Sequence, residues 1–214
     1  MKRSSLKSEA PFNLPSKPLL LVLSGPSGTG KDAILSRMKK SAYPLEVITT
    51  VTTRPRRARE KNNVDYHFVS AESFQKMIKN NELVEWANVY GNWYGVPKKP
   101  LQRALNKGKD TIVKVDIQGA ATIKKIIPQA VFIFLAPPSK EELERRLSQR
   151  RTESSPDLAL RLKTAEEEMK KLPLFDYVVV NKQDKIGLAV SAIEAIIIAE
   201  KQRVKPREIS LQAD

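Results

Sequence analysis

The feature that most constrains the fold is a glycine-rich loop between an apolar run and a helical pattern. Residues 18–24 read PLLLVLS, a continuous apolar run of the kind that forms a strand buried on both faces of a parallel sheet. The loop GPSGTGK follows at residues 25–31, and residues 32–40 carry apolar side chains at helical spacing. The local order is therefore strand, loop, helix.

The loop fits the pattern G-x-x-x-x-G-K, in which glycine torsions turn backbone N–H groups inward around phosphate oxygens. Its lysine would bridge the terminal phosphates of a nucleoside triphosphate. A simple Gly-rich turn is the structural alternative, but the strand before the loop and the helix after it favour phosphate binding. The predicted phosphate-binding residues are Gly25, Pro26, Ser27, Gly28, Thr29, Gly30 and Lys31.

The residue after the loop departs from the pattern. The pattern ends in Ser or Thr, whose hydroxyl ligates Mg²⁺, whereas this chain has Asp32. A carboxylate is a hard oxygen donor that Mg²⁺ accepts directly or through water. It would equally repel the phosphates and weaken nucleotide binding. The sequence leaves both interpretations of Asp32 open.

The rest of the chain alternates between strand and helix patterns. Buried strands are predicted at residues 43–50, 111–115, 131–135 and 177–180, and helices at residues 98–107, 119–127, 139–149, 156–171 and 186–204. Such alternation is typical of a parallel sheet between two layers of helices. We therefore predict an α/β fold, a P-loop three-layer α/β/α domain with a parallel central sheet.

Residues 51–96 break this alternation. They contain an Arg-rich turn, a helical pattern and two strand-like pieces, ELVEWANV and NWYGV, and we interpret them as a small inserted α+β subdomain. The segment QRRTESSP joins two helical patterns and predicts a short lid at about residues 146–163. The predicted division is an arm at 1–17, a core at 18–50 and 97–203 around the insert, and a tail at 204–214.

Charge and composition limit the partners. The net charge of +14, from 38 Lys and Arg against 24 Asp and Glu, attracts polyanions such as nucleotides, nucleic acids or acidic surfaces. A nucleic-acid binder would interleave aromatic with basic residues, and aromatic residues make up only 6%. The absence of cysteine excludes disulfides and thiolate catalysis, and the single histidine, His67, leaves no histidine cluster for a metal.

The sequence also bears on location. Its apolar runs are shorter than the roughly 18 residues of a membrane span, so we expect a soluble protein without a membrane partner. Residues 1–17 are basic and lack the apolar centre of a secretory signal. We expect a disordered arm on a cytoplasmic protein, with a trimmed organelle-targeting remnant as the alternative.

Two short patterns suggest a GTPase. Residues 116–119 fit D-x-x-G, and residues 181–184 fit N-K-x-D, the guanine-reading motif of that class. Four-residue patterns are loose, and a strand end followed by a polar turn is the favoured interpretation of each. A small GTPase also has no use for the Arg- and Tyr-rich insert, and it needs the Ser or Thr that Asp32 replaces.

A second nucleotide explains the insert better. Arg54, Arg57, Tyr66 and Tyr94 combine planar cationic groups with phenolic hydroxyls, which suits a bound monophosphate. Glu85 is a carboxylate among apolar neighbours and would accept both the N1–H and the 2-amino hydrogens of guanine. A solvated arginine run is the alternative for the turn TTRPRRARE.

In order along the chain, these motifs resemble those of guanylate kinases. The resemblance covers roughly residues 18–203, and each motif is modest alone whereas the ordered set is highly specific. Besides the glycine loop and the Arg-rich turn, the set comprises D-Y-x-F at 65–68, E-W at 85–86, G-N-W-Y-G at 91–95, D-x-Q-G at 116–119, A-P-P-S at 136–139 and V-N at 180–181.

The resemblance implies transfer of the γ-phosphoryl group of ATP to GMP, giving ADP and GDP, with Mg²⁺ as the cofactor. It leaves the oligomeric state open. The residues implied to hold GMP are Thr50, Arg54, Arg57, Tyr66, Glu85, Tyr94 and Asp116, the last of which would lie near Mg²⁺ together with Asp32. The implied catalytic residues are Lys31, Arg146, Arg150 and Arg161, and Asn181 would lie on the adenine side.

The chain departs from the family pattern at three further positions. Val96 stands where many members have a hydroxyl residue, Lys114 replaces a common acidic residue, and Arg59 replaces a turn glycine. Guanylate-kinase-like domains also serve as non-enzymatic, peptide-binding modules, and Asp32 favours that alternative somewhat. The retained loop lysine and arginines favour the enzyme.

Overall fold

The structure is a computed structural model that describes residues 17–41, 43–58, 60–149 and 155–211, the side chains of 155–157 excepted. Residues 1–16 of the predicted arm, Arg59, Arg150, the centre of the predicted lid and residues 212–214 lie outside the described residues. The strands are β1 (Leu20–Ser24), β2 (Glu46–Val47), β3 (Val51–Thr52), β4 (His67–Phe68), β5 (Leu83–Val89), β6 (Asn92–Pro97), β7 (Thr111–Lys114), β8 (Val131–Ala136) and β9 (Tyr177–Val180). The helices are α1 (Lys31–Met38), α2 (Ala71–Lys79), α3 (Lys98–Asn106), α4 (Ile117–Ile126), α5 (Lys140–Ser148), α6 (Ser155–Met169) and α7 (Ile186–Lys201), with a 3₁₀ turn at Leu172–Leu174.

The central sheet is parallel, with strand order β2-β7-β1-β8-β9. Alternate residues of β1 face opposite sides of this sheet. Leu21 and Leu23 pack with residues of α1 and α7, whereas Leu20 and Val22 pack with residues of α3 and α4. Because both faces of β1 are buried, its sequence is apolar throughout. The predicted three-layer α/β/α fold is confirmed.

The inserted segment forms a second sheet with strand order β4-β3-β6-β5. Strand β3 pairs in parallel with β4, and β6 pairs antiparallel with both β3 and β5. Helix α2 closes this sheet through Phe74, which is fully buried and stacks on Trp93 with ring centroids 6.0 Å apart. The Ser70 hydroxyl caps the helix by accepting a hydrogen bond from the Ser73 amide at 3.1 Å.

One predicted strand is much shorter than expected. Of residues 43–50, only Glu46 and Val47 pair with β7, at the edge of the central sheet. The chain must leave this edge because β3 belongs to the second sheet. Tyr43 instead donates its hydroxyl hydrogen to Asp110 at 2.5 Å, beside the amino end of β7. Residues 48–50 therefore lead from the central sheet to β3 of the second sheet, a change of sheet that sequence periodicity does not reveal.

In the part of the chain that the structure describes, none of the helices has the length and apolar character needed to cross a membrane.

Candidate active site

The predicted phosphate-binding loop lies at the carboxyl end of β1, flanked by the ends of β7 and β8. Gly25, Gly28 and Gly30 have φ values of +140°, +90° and +94°, which L-residues rarely adopt. Helix α1 begins at Lys31 with no side-chain cap at Gly30, so its first N–H groups are available to a ligand. Lys31 Nζ donates to the carbonyls of Gly25 and Pro26, the latter at 3.0 Å.

Gly25→Ala is expected to destabilise the protein by about 2–4 kcal/mol, measured by urea unfolding. A Cβ at this position would lie 2.2 Å from the backbone carbonyl oxygen of Leu135, in addition to the strain of its positive φ. Gly108→Ala is the matched control, because Gly108 also has positive φ, +70°, but a Cβ there meets nothing within 4 Å. Equal losses in the two variants would contradict the role of the Leu135 contact.

Asn181 supports the loop from behind. Its buried side-chain amide donates to the Thr29 carbonyl at 2.9 Å. Arg146 donates to the Asn181 carbonyl at 2.9 Å and to Glu142 at 2.7 Å. Asn181 therefore contacts both the loop and Arg146, and neither Asn181 nor Arg146 lines the cavity described next.

A cavity of about 360 Å³ joins the loop to the inserted subdomain. Most of the predicted site residues line it: Gly25, Ser27, Gly28, Gly30, Lys31, Asp32, Thr50, Arg54, Arg57, Tyr66, Glu85, Tyr94, Asp116 and Arg161. Pro26 and Thr29 lie in the loop without lining the cavity, and the Thr29 hydroxyl donates to the Pro26 carbonyl at 2.9 Å. The tertiary structure thus places residues of the glycine loop and residues of the inserted subdomain in one cavity.

Aromatic and cationic groups of the insert line one end of the cavity. The rings of Tyr66 and Tyr94 meet edge to face with centroids 6.1 Å apart, and the Arg54 guanidinium lies 5.5 Å from the Tyr66 ring centroid. Glu60 holds both arginines, because it pairs with Arg54 at 2.7 Å and accepts from the Arg57 amide at 2.8 Å. Arg54 and Arg57 of the arginine turn therefore line the cavity wall, whereas Arg56 is exposed.

Glu85 is the most unusual group in the cavity. It is 3% exposed, and its Oε2 atom has no hydrogen-bond partner among the described residues. Burial, with a smaller contribution from the Asp116 carboxylate, raises the Glu85 pKa to about 8. A buried acceptor without a partner is costly, so its presence in a cavity points to a hydrogen-bonding ligand. Gly119 leaves room for it, because a Cβ there would lie 2.6 Å from Glu85 Oε2.

The cavity contains charged groups at its lysine end as well. Burial lowers the Lys31 pKa to about 8, against the opposing attraction of Glu168, Asp32 and Asp116. Asp116 caps α4 by accepting from the Gly119 amide at 2.7 Å, and burial raises its pKa. Bound phosphates would favour the charged form of Lys31.

Sequence reasoning missed several residues of the cavity wall, among them Glu168 and Tyr90. Glu168 follows Arg161 by two helical turns in α6, so both lie on one face of that helix, and this spacing was the available signal. Tyr90 has φ +50° in the turn between β5 and β6, and the Arg161 guanidinium lies 5.6 Å from its ring centroid. A tyrosine in a turn does not by itself predict a residue of the cavity wall, so the sequence offered no reason to include Tyr90.

A glycine loop on a parallel sheet and a second binding region in an inserted subdomain define a P-loop kinase that acts on a small phosphorylated acceptor. The guanylate kinase family model matches residues 17–200. This chain belongs to the guanylate kinase family.

Individual relatives agree with this assignment. A guanylate kinase of Lactobacillus johnsonii is 46% identical over 193 residues, with 90% of this chain and 93% of that protein covered. A protein of Oryza sativa subsp. japonica named guanylate kinase 2, chloroplastic/mitochondrial, is 43% identical over 205 residues, with 95% and 72% covered. The crystal structure of guanylate kinase from Anaplasma phagocytophilum has a TM-score of 0.74 at 35% identity and covers 89% of this chain and 90% of its own. The predicted family and enzyme class are confirmed.

Proposed function

We propose that this chain transfers the γ-phosphoryl group of ATP to GMP and that the residues lining the cavity carry out the transfer. Family membership supports ATP-dependent phosphorylation of GMP to GDP. The observation that carries the assignment of roles is the single cavity that contains both the loop lysine and the unpartnered Glu85 carboxylate. One cavity thus offers a phosphate site and a base-reading group.

The donor ATP is proposed to bind at the loop. The backbone N–H groups of the loop and Lys31 hold the β- and γ-phosphates, while Asn181 and Arg146 keep the loop in position through their hydrogen bonds to Thr29 and to each other. Arg161 lines the cavity from α6 and is proposed to approach the transferring group. Arg150 stays a prediction, since it lies outside the described residues.

The acceptor GMP is proposed to bind under the inserted subdomain. Arg54, Arg57, Tyr66 and Tyr94 bind its phosphate, with Thr50 lining the same wall. Glu85 reads the base, because its carboxylate oxygens accept the N1–H and 2-amino hydrogens of guanine. Adenine presents an acceptor at N1, which an ionised carboxylate would repel.

The donor set fits a magnesium ion that arrives with the nucleotide. Among the described residues, no group of three acidic or histidine side chains forms a complete metal cage. Mg²⁺ is commonly held by one or two carboxylates together with phosphate oxygens and water, and Asp116, which lines the cavity with Lys31, would supply such a carboxylate. Asp32 also lines the cavity, but its carboxylate accepts a hydrogen bond from Lys114. When bound, the ion neutralises charge on the β- and γ-phosphate oxygens.

The transfer needs positioning and charge stabilisation more than proton transfer. The attacking GMP phosphate oxygen is already anionic, so no side chain must remove its proton. A bond forms between this oxygen and the γ-phosphorus while the bond from the γ-phosphorus to the β-phosphate oxygen breaks, which leaves ADP. Lys31 and Arg161 stabilise the charge during this exchange. Closure over the cavity would exclude water and suppress ATP hydrolysis.

The KM for GMP is expected to fall as the pH rises from 6 to 8. Glu85 with a pKa of about 8 is mostly protonated at pH 6, whereas guanine requires the ionised form. Below that pKa the apparent affinity rises by up to roughly tenfold per pH unit. Steady-state kinetics across this range measure the effect. Glu85→Gln should remove the part of the pH dependence of KM that comes from ionisation of Glu85. An identical pH profile in that variant would contradict the assignment.

A coupled assay of ADP release with GMP, AMP, UMP or no acceptor tests the proposed function. We expect ADP release only with GMP. Release without an acceptor, or tight GTP binding without transfer, would overturn the proposal.

The name of the rice relative assigns that protein to chloroplasts and mitochondria. A cytoplasmic or organellar location for this chain stays a prediction.

A further inference from the structure

Two departures of this chain from the guanylate kinase pattern contact each other. Lys114, the last residue of β7, donates from Nζ to the Asp32 carboxylate in the first turn of α1, although 82 residues separate them. The Lys114 side chain is 9% exposed, and that of Asp32 is 59% exposed. A buried ammonium needs an anionic partner, because burial alone disfavours its charged form. The lysine at position 114 and the carboxylate at position 32 therefore form one unit.

The same ammonium contacts the inserted subdomain. Lys114 Nζ lies 3.8 Å from the centroid of the Tyr66 ring, well inside the roughly 6 Å range of cation–π interactions. Tyr66 in turn meets Tyr94 edge to face. The Lys114 ammonium thus connects α1 and the central sheet to the end of the cavity that Tyr66 and Tyr94 line, which we call the acceptor end.

We propose that Lys114 is a positioning residue for the acceptor nucleotide: anchored by Asp32, it fixes the Tyr66 side chain at the acceptor end of the cavity. Asp32 serves as the anchor of Lys114 and not as a ligand of the divalent cation, which leaves Asp116 for that role. The inference rests on the proposed function, because Tyr66 has this importance only where a monophosphate binds.

The charges at the two positions agree with this inference. The family pattern places a neutral hydroxyl at position 32 and a carboxylate at position 114, whereas Asp32 and Lys114 carry opposite charges that cancel. A carboxylate engaged with an ammonium attracts a metal ion less than a free one, and an ammonium at position 114 does not repel the acceptor phosphate as a carboxylate would. With Asp32 and Lys114 in place of the hydroxyl and the carboxylate of the family pattern, the charged groups at these two positions serve to position the acceptor nucleotide and not to bind the metal ion.

Calorimetric titration of GMP into the protein, without ATP or metal, tests the inference. Lys114→Met and Asp32→Ser are each expected to raise the Kd for GMP about five- to tenfold, and the double variant should show little further increase. Lys114→Arg should retain near wild-type affinity because it keeps the charge. Lys124→Met is the matched control, since Lys124 pairs with Asp176 and lies 4.3 Å from the Phe132 ring centroid, away from the cavity lining.

Either of two results would overturn the inference. One is a wild-type Kd for GMP in Lys114→Met. The other is an Asp32→Ser variant that binds GMP normally but binds Mg²⁺–ATP more weakly, which would make Asp32 a metal ligand. If Lys114→Met does not fold, the Kd for GMP of Asp32→Ser tests the same ion pair, because Asp32 is exposed and its substitution leaves the buried residue in place. Failure of the proposed function is distinguishable, because the wild-type chain would then show no GMP-dependent ADP release.

Discussion

Lys31→Ala is expected to lower kcat by about 10²–10³-fold, the usual loss when one preorganised donor to developing charge is removed. Lys31 is the only lysine of the loop pattern, and its Nζ is held against the Gly25 and Pro26 carbonyls at the mouth of the cavity. Because the γ-phosphoryl group spreads its charge over three oxygens during transfer, loss of this cation affects the reaction more than ground-state binding. Single-turnover measurements of ADP formation with saturating ATP and GMP report this effect.

The fold is expected to survive this substitution. Lys31 contributes hydrogen bonds to two loop carbonyls and no packing to the clusters of buried residues on either face of the central sheet. Lys40→Ala is the matched control, because Lys40 follows the same helix but is exposed and does not line the cavity. A kcat within about threefold of wild type for Lys31→Ala would contradict its assignment to the transferring phosphoryl group.

Glu85→Gln is expected to lower kcat/KM for GMP by about 10²–10³-fold and to reduce the preference for GMP over AMP. The carboxylate offers two acceptors to the two hydrogen donors of guanine, whereas an amide turns one of its two groups into an opposing donor. The same amide would donate to N1 of adenine and accept from its 6-amino group. Competition assays with GMP and AMP measure the ratio directly.

A second measurement on Glu85→Gln is independent of catalysis. The pKa of Glu85 is raised from 4.5 to about 8 in the folded protein, so the folded state retains a proton that the unfolded state loses. The wild-type free energy of unfolding should therefore fall as the pH rises from about 5 to 8, relative to the variant. Glu82→Gln is the matched control, since Glu82 lies just before the same strand and outside the cavity lining. Parallel stability profiles for wild type and Glu85→Gln would contradict the raised pKa.

Local sequence features predicted much of the fold. The loop glycines were recognisable because only particular backbone torsions fit around phosphates, and all three have positive φ. Strands β7, β8 and β9 were predicted to within a residue, because each is a continuous apolar run. In β7 and β8 that run reflects burial on both faces, whereas β9 is an edge strand with Val178 and Val180 exposed. The strand expected at 43–50 was predicted too long, because only Glu46–Val47 pairs with β7 before the chain crosses to the second sheet at Val51.

The order of the elements, the glycine loop and the family could be predicted from the sequence, because glycine torsions, hydrophobic periodicity and ordered motifs are properties of neighbouring residues. Which distant side chains share an environment became known from the folded structure. The pairing of Asp32 with Lys114, the approach of Glu85 to Gly119 and the contact of Asn181 with Thr29 each join separate segments. Burial and electrostatic pairing depend on such approaches in space, so the roles of these polar groups became evident only once the chain was folded.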